Sequence, residues 1–402
     1  MKDKKKWLRF RHGVVTKLLD LTLGVYTRIK YNIKIEKFKA QERRPYLILM
    51  NHQTAFDQFF VGMAFRGPVY YLASEDIFSK GWVSSLIKYL VAPIPIKKQT
   101  TDVRAILTCM RVAKEGGTIA IAPEGNRTYS GKTEYMSPSI APLARKLGMP
   151  IAIFRIEGGY GVHPRWSDKV RRGKMRAYVS EVISPEEYAG MTDGELFSRI
   201  EKGLYINEAK VDGEYRSGHL AEYLERAIYV CPYHGLSRFE SHGDLFECCE
   251  CGRRVRYTST KELLGEGFDL PFRFVNDWYD YQSGFINSFD PREHTASPLY
   301  TDTVDVYEVI PYKNKRPIEK STELSLYGDR VTLSLGGEMT EIGYDRASAI
   351  TVLGRNKLNI YCGDKIYQIK GDKRFSALKY VQIYNRYKNL VKGDGNVQFL
   401  GL

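Results

Sequence analysis

Two polar clusters carry the chemistry of this chain. In the first, Asn51-His52-Gln53-Thr54-Ala55-Phe56-Asp57, an imidazole and a carboxylate stand with four residues between them. An alcohol is a poor nucleophile at neutral pH, so a positioned imidazole can take its proton as attack begins. A carboxylate bonded to the other ring nitrogen fixes the tautomer and stabilises the imidazolium that forms. The second cluster, Pro123-Glu124-Gly125-Asn126-Arg127, joins a glycine turn to an arginine. That pairing suits a phosphate, gripped by the guanidinium and by backbone N–H groups at a helix start behind Gly125. Taken singly, His52 reads as a helix cap and Arg127 as half of a surface ion pair. Taken together, the clusters describe a site that deprotonates a hydroxyl on a phosphorylated substrate.

The surrounding sequence supplies elements that could position both clusters. Pro45-Tyr46-Leu47-Ile48-Leu49-Met50 is a strand-like run ending at the first, and Thr118-Ile119-Ala120-Ile121-Ala122 another ending at the second. The carboxyl ends of strands are where α/β folds place ligands. Residues 105–113 and 139–147 read as helices, each just before a strand, and alternation of this kind predicts an α/β sheet with helices packed on it. Ser184-Pro185-Glu186-Glu187 marks a helix start in a stretch, 184–226, expected to close the domain.

The order and wording of the clusters resemble the glycerolipid acyltransferase family, whose hallmarks are an H-x4-D block and a later E-G-x-R block. The resemblance spans about residues 1–210. It implies an α/β domain with a mixed sheet flanked by helices, His52 and Asp57 as the catalytic pair, and Glu124, Gly125 and Arg127 in the substrate site. The family usually carries an arginine after a short strand between the blocks. Here Ile94-Pro95-Ile96-Lys97-Lys98 supplies Lys97 and Lys98, which keep the charge but lose the bidentate fork. A V-P-x-x-P-like strand appears as Met149-Pro150-Ile151-Ala152-Ile153-Phe154, without its second proline. The implied reaction moves a fatty acyl group from acyl-CoA or acyl-ACP to the free hydroxyl of a lysophospholipid in phospholipid biosynthesis. The default acceptor is 1-acylglycerol-3-phosphate, with another lysolipid head group as the alternative. The chain has no G-x-S-x-G elbow and no evident serine or cysteine nucleophile, so direct transfer from the thioester is expected over a covalent acyl-enzyme.

Charge and patterning point to a lipid surface. The chain carries a net +14, and its first 44 residues hold fourteen Lys or Arg against four Asp or Glu, a balance of 14 − 4 = +10. Trp7, Phe10, Val14 and Leu18 follow 3,4,4 spacing, which a helix gathers on one side. A basic amphipathic helix lies in the lipid interface and is drawn to anionic phospholipid. No run approaches the length of a membrane span, and no uninterrupted apolar core or small-residue cleavage site marks a signal peptide. The expectation is a peripheral enzyme on the cytoplasmic face of the cell membrane. Nucleic acid, the other partner of basic chains, is not expected.

Beyond residue 226, Cys231-Pro232-Tyr233-His234-Gly235 and Cys248-Cys249-Glu250-Cys251-Gly252 form two tight knuckles, with thirteen residues between His234 and Cys248. Cys231, His234, Cys248 and Cys251 suit a closed tetrahedral Zn2+ site of structural type and resemble a zinc ribbon. Cys249 or His242 could replace one ligand, and two disulfides are the competing reading. Residues 300–370 turn to short β-rich runs separated by Gly328-Asp329, Gly336-Gly337 and Gly363-Asp364. A helix with Ala377, Tyr380, Val381, Tyr384 and Tyr387 on one face follows. This pattern resembles a pleckstrin-homology-like or GRAM-like domain, and residues 263–300 read as an irregular connector. The expected domains are 1–44, basic amphipathic helices; 45–226, the α/β acyltransferase domain; 227–262, the zinc ribbon; and 263–402, the β-rich domain. The rival reading is a non-enzymatic, membrane-recruited zinc-ribbon adaptor, whose mark would be a degraded first site.

Overall fold

Leu47–Met50 is apolar at every position, as are residues 151–154, a composition that fits strands covered on both faces rather than one. In a computed structural model, which describes residues 6–39, 45–78, 81–96, 102–310 and 315–393, these runs lie side by side in the middle of one sheet. The chain packs as two compact units. One is formed by residues up to 164 together with 172–213, the other by residues 165–171 together with 214 onward.

The first unit holds a seven-stranded sheet of β1 (Ile33–Ile35), β2 (Leu47–Met50), β3 (Val69–Ser74), β4 (Ile94–Ile96), β5 (Thr118–Ile121), β6 (Ile151–Glu157) and β7 (Met175–Ile183). Their spatial order is β1-β7-β6-β2-β5-β3-β4. β6, β2, β5, β3 and β4 are mutually parallel, while β7 runs antiparallel to β6 and pairs in parallel with β1. The sheet is therefore mixed, as expected. One face is covered by Val112 and Cys109 of the helix Val103–Lys114, Ile140 and Ala144 of Ile140–Leu147, and Leu196, Ile200 and Leu204 of Asp193–Leu204. Residues of opposite parity, Ile48, Ala120 and Ala152, are buried too, so both faces are covered. Helix starts follow local chemistry: Ser184 with Glu187 and Thr192 with Glu195 each form a reciprocal capping box.

The N-terminal segment is helical over Phe10–Leu19 and Val25–Tyr31, with a wider π turn, Asp20–Gly24, between them. Phe10, Val14, Leu18, Leu21, Val25 and Ile29 recur at 4,4,3,4,4 and are all exposed, Phe10 by 92% and Ile29 by 78%. Trp7 departs from the expected stripe. It precedes the helix, and its indole N–H donates to the Ala92 carbonyl at 3.1 Å. Trp82, Leu86 and Tyr89 of the helix Trp82–Val91 are likewise exposed. Among the described residues, no helix is long and apolar enough to cross a membrane.

The second unit contains the hairpin of β8 (Val230–Cys231) and β9 (Gly235–Leu236). A four-stranded antiparallel meander follows: β10 (Phe239–His242), β11 (Leu245–Cys248), β12 (Arg254–Tyr257) and β13 (Leu263–Gly265). Residues 263–300 are not an irregular connector, because Val275–Ser288 is a helix that buries Val275, Trp278, Tyr279, Gln282 and Ile286. Seven antiparallel strands follow between Tyr300 and Gly371, then the helix Ala377–Val391 with Ala377, Tyr380, Val381 and Tyr384 buried. The ribbon-like and β-rich stretches fall in this same unit. So do residues 165–171: Arg226 pairs with Asp168 at 2.8 Å, and the Arg171 guanidinium sits 5.0 and 4.9 Å from the ring centres of Trp166 and Tyr257.

Candidate active site

β2 and β5 are parallel neighbours with Leu49 opposite Ile121. His52 lies three residues beyond Leu49, and Glu124 three beyond Ile121, so strand register alone sets the two clusters side by side. The His52 backbone N–H donates to Glu124 Oε1 at 2.8 Å, and the His52 carbonyl accepts from the Thr128 N–H at 3.2 Å. The second cluster and Thr128 just after it thus hold the His52 backbone at both its N–H and its carbonyl. Asn51, one residue earlier, locks the end of β2 to β6: its side chain donates to the Ile156 carbonyl and accepts from the Ile156 N–H, both at 2.8 Å.

Asp57 opens the helix Asp57–Ala64 and is fully buried. Its Oδ2 lies 2.8 Å from His52 Nδ1 and accepts from the Gln53 N–H at 2.7 Å. Oδ1 accepts from the Thr54 hydroxyl at 2.7 Å and the Thr54 N–H at 2.9 Å. A buried carboxylate supplied with this many donors stays fixed, and it orients an imidazole whose side chain remains 24% exposed. With Nδ1–H donated to Asp57, Nε2 carries the lone pair that can take a proton.

Glu124 is 3% exposed. Oε1 accepts from His52 and Oε2 from the Glu134 N–H at 2.9 Å. Burial pushes its carboxyl up to about 8, against the downward pull of those two backbone donors, with smaller upward contributions from Glu134 and Asp57. Its oxygens are turned to the protein backbone, where they tie three segments together. Gly125, exposed and at φ +69°, closes a turn in which its N–H donates to the Ala122 carbonyl at 3.0 Å. Arg127 is half-buried on the same loop. No helix starts behind Gly125: the loop continues to Ile140, so the helix N-terminus expected there is not formed. Lys97 and Lys98 lie outside the described residues.

Sequence reasoning missed the supporting residues Asn51, Thr54, Thr128 and Gly159. Asn51 and Thr54 were visible as hydrogen-bonding side chains within the first cluster. Gly159 gave no local signal, since a Cβ there would lie 2.6 Å from Gln53 Cβ, a contact between segments distant in sequence. In the second unit, Cys231, His234, Cys248 and Cys251 come together, with one ligand atom from each all within 4.8 Å of one another.

Comparison with known proteins places this geometry in context. Residues 32–156 match the acyltransferase family model. A 1-acyl-sn-glycerol-3-phosphate acyltransferase of Bacillus subtilis (strain 168) is 21% identical over 198 residues, 49% of this chain and 92% of that protein. The chloroplastic BAT2 enzyme of the same name from Brassica napus is 22% identical over 185 residues, 44% of this chain. The chain spans 52% of that plant relative's length. The crystal structure of the 1-acyl-sn-glycerophosphate acyltransferase PlsC from Thermotoga maritima aligns over 49% of this chain and 80% of its own, with 22% identity and a TM-score of 0.41.

Proposed function

We propose that this chain, an O-acyltransferase of the glycerolipid acyltransferase family, moves a fatty acyl group from acyl-CoA or acyl-ACP to the free hydroxyl of 1-acylglycerol-3-phosphate. The observation that carries the mechanism is the 2.8 Å contact between His52 Nδ1 and the buried Asp57 carboxylate. His52 Nε2 takes the proton of the acceptor hydroxyl as its oxygen attacks the thioester carbonyl. The carbonyl carbon gains the C–O bond, the C–S bond breaks, and the His52 imidazolium returns its proton to the departing thiolate, which leaves as the thiol. Asp57 holds the tautomer and balances the imidazolium. Glu124 positions His52 through its backbone, and Arg127, on the adjoining loop, takes the acceptor phosphate.

The same reading puts the enzyme at the surface of the cytoplasmic leaflet. Its support is the exposed stripe from Phe10 to Ile29, flanked by Arg9, Arg11, Lys17, Arg28 and Lys30. Apolar side chains enter the acyl boundary while cations meet anionic head groups. Peripheral attachment of this kind delivers a lipid acceptor without a spanning helix.

The test is product formation followed by mass spectrometry. Purified protein is mixed with oleoyl-coenzyme A or oleoyl-acyl carrier protein and a panel of lysolipids, beside His52→Ala. A diacyl product that requires His52, strongest with 1-acylglycerol-3-phosphate, is expected. Product from His52→Ala at the wild-type rate would overturn the base assignment, and a preference for an uncharged acceptor would overturn the phosphate role of Arg127.

A further inference from the structure

The cysteine and histidine cluster lies in the second unit and is not used by the acyl-transfer mechanism proposed above. We propose that Cys231, His234, Cys248 and Cys251 bind one Zn2+ as a closed structural site that fastens the β8–β9 hairpin to the β10–β13 meander. Cys231 ends β8, His234 stands in the turn before β9, Cys248 ends β11, and Cys251 lies in the turn that leads to β12. The four residues thus come from two separate tight turns. Their ligand atoms nevertheless converge within 4.8 Å, and Cys231 Sγ is 3.8 Å from His234 Nδ1. Zinc bonds of about 2.0–2.3 Å put neighbouring donors of a tetrahedron about 3.6–3.8 Å apart, so the cluster already has close to the required spread.

The turns are shaped for this purpose. Gly235 follows His234 at φ +70° and Gly252 follows Cys251 at φ +67°, so each knuckle closes through a left-handed residue that glycine adopts without strain. In the second knuckle the Gly252 N–H donates to the Cys248 carbonyl at 2.8 Å, holding Cys248 and Cys251 on one side of the turn. The alternative ligands fall away on geometry. The ligand atoms that converge within 4.8 Å come from Cys231, His234, Cys248 and Cys251 and include neither Cys249 nor His242, whose ring is directed toward Glu240. A histidine among the four also rules out satisfying all of them as two disulfides.

Three thiolates and an imidazole select zinc over hard cations. Four protein ligands fill a tetrahedral shell and leave no position for a substrate or water, so the site holds structure together. The hairpin it fastens is bound into the unit at a second place: Trp278 Nε1 donates to the Val230 carbonyl at 2.8 Å, and the Tyr300 hydroxyl donates to the Tyr229 carbonyl at 3.1 Å. Metal loss would therefore loosen a hairpin on which a buried helix and a strand both rest.

The test uses the full chain, purified without chelator and analysed by plasma mass spectrometry and X-ray absorption. One zinc per chain with a three-sulfur, one-nitrogen shell is expected. Cys251→Ser should lose the metal, whereas His234→Cys should retain it with a four-sulfur shell, so the proposal does not depend on a variant that fails to fold. Cys249→Ser and His242→Ala should keep full occupancy. A chelator strong enough to strip the wild type should lower its Tm by about 5 °C or more, with recovery on adding Zn2+. Metal-free protein that takes up no added Zn2+, iron or copper in place of zinc, or loss of metal in Cys249→Ser would each overturn the assignment. This outcome is independent of whether the first unit transfers acyl groups.

Discussion

Asp57→Asn isolates what the carboxylate charge does for His52. The substitution is nearly isosteric at a fully buried position. If the amide nitrogen takes the Oδ1 place, it donates to the Thr54 hydroxyl, which can turn to accept, and it gives up the 2.9 Å contact that Oδ1 makes with the Thr54 N–H. The amide oxygen then keeps the Oδ2 contacts with His52 Nδ1, the Gln53 N–H and the Thr54 N–H. The fold and the imidazole tautomer are thereby retained, and the lost quantity is the attraction between carboxylate and imidazolium. Two unit charges with centres about 4 Å apart interact by about 4 kcal/mol at an effective dielectric near 20. The 24% exposure of His52 screens this, leaving about 2–4 kcal/mol in the transition state, where the imidazolium forms. At 1.36 kcal/mol per factor of ten, kcat should fall about 30- to 1,000-fold, with Tm changed by a few degrees at most. The assay is initial-rate product formation at saturating acceptor, with circular dichroism melts alongside. Because Asp57 acts through the imidazole, His52→Ala/Asp57→Asn should be no slower than His52→Ala alone. An Asp57→Asn enzyme with wild-type kcat, or a full second loss in the double variant, would refute the reasoning.

The carboxyl of Glu124, held at about 8 by burial, makes the first unit's stability depend on pH. The unfolded chain ionises this group near pH 4.3, so its contribution is complete below that pH and is lost as pH rises through about 8. Glu124→Gln carries no such titration. Its unfolding free energy should gain on that of the wild type by roughly 3 kcal/mol between pH 5 and pH 8, read from urea titrations, and parallel pH curves would reject the assignment. Gly159→Ala sets a Cβ 2.6 Å from Gln53 Cβ and must displace the loop that carries His52. A loss of kcat of about tenfold or more is expected, and an unchanged kcat would show that the loop tolerates the shift. Replacing Phe10, Leu21 and Ile29 together by Gln removes three of the most exposed apolar side chains of the N-terminal stripe. At about 1.5 kcal/mol or more per side chain, co-sedimentation with anionic vesicles should weaken by over 100-fold, and equal binding would exclude the stripe from the membrane contact.

The pairing of His52 with Asp57, the central strands and both knuckles were legible because their signals are local. An apolar run ends in a polar cluster, or two ligands flank a tight turn. What failed to show was non-local or masked by composition. The helix Val275–Ser288 was hidden by the glycines and aromatics around it, although Val275, Trp278, Tyr279, Gln282 and Ile286 follow a helical period that could have been counted. Trp7 fitted the 3,4,4 spacing but precedes the first helical residue, so periodicity alone placed it on the wrong surface. Gly125 suggested a helix start, yet a glycine at positive φ equally serves a plain turn. Residues 165–171 gave no sign that they pack with the second unit, since their partners Arg226, Tyr257 and Arg355 are more than fifty residues away in sequence.

The spacing within the two clusters makes physical sense once strand register is considered. Neighbouring parallel strands deliver equal offsets to equal heights, so residues three past Leu49 and three past Ile121 meet without help from a long loop. A glutamate at that point has the reach to accept one backbone N–H from His52 and another from Glu134, ten residues further along its own loop. Aspartate would be one methylene short, and glutamine would offer an N–H to one of two N–H donors. Glu124 therefore does for the His52 backbone what Asp57 does for its side chain. One fixes where the imidazole stands and the other fixes which way its proton points. The H-x4-D and E-G-x-R clusters, far apart in sequence, form one hydrogen-bonded unit in which each part sets a different coordinate of the same imidazole.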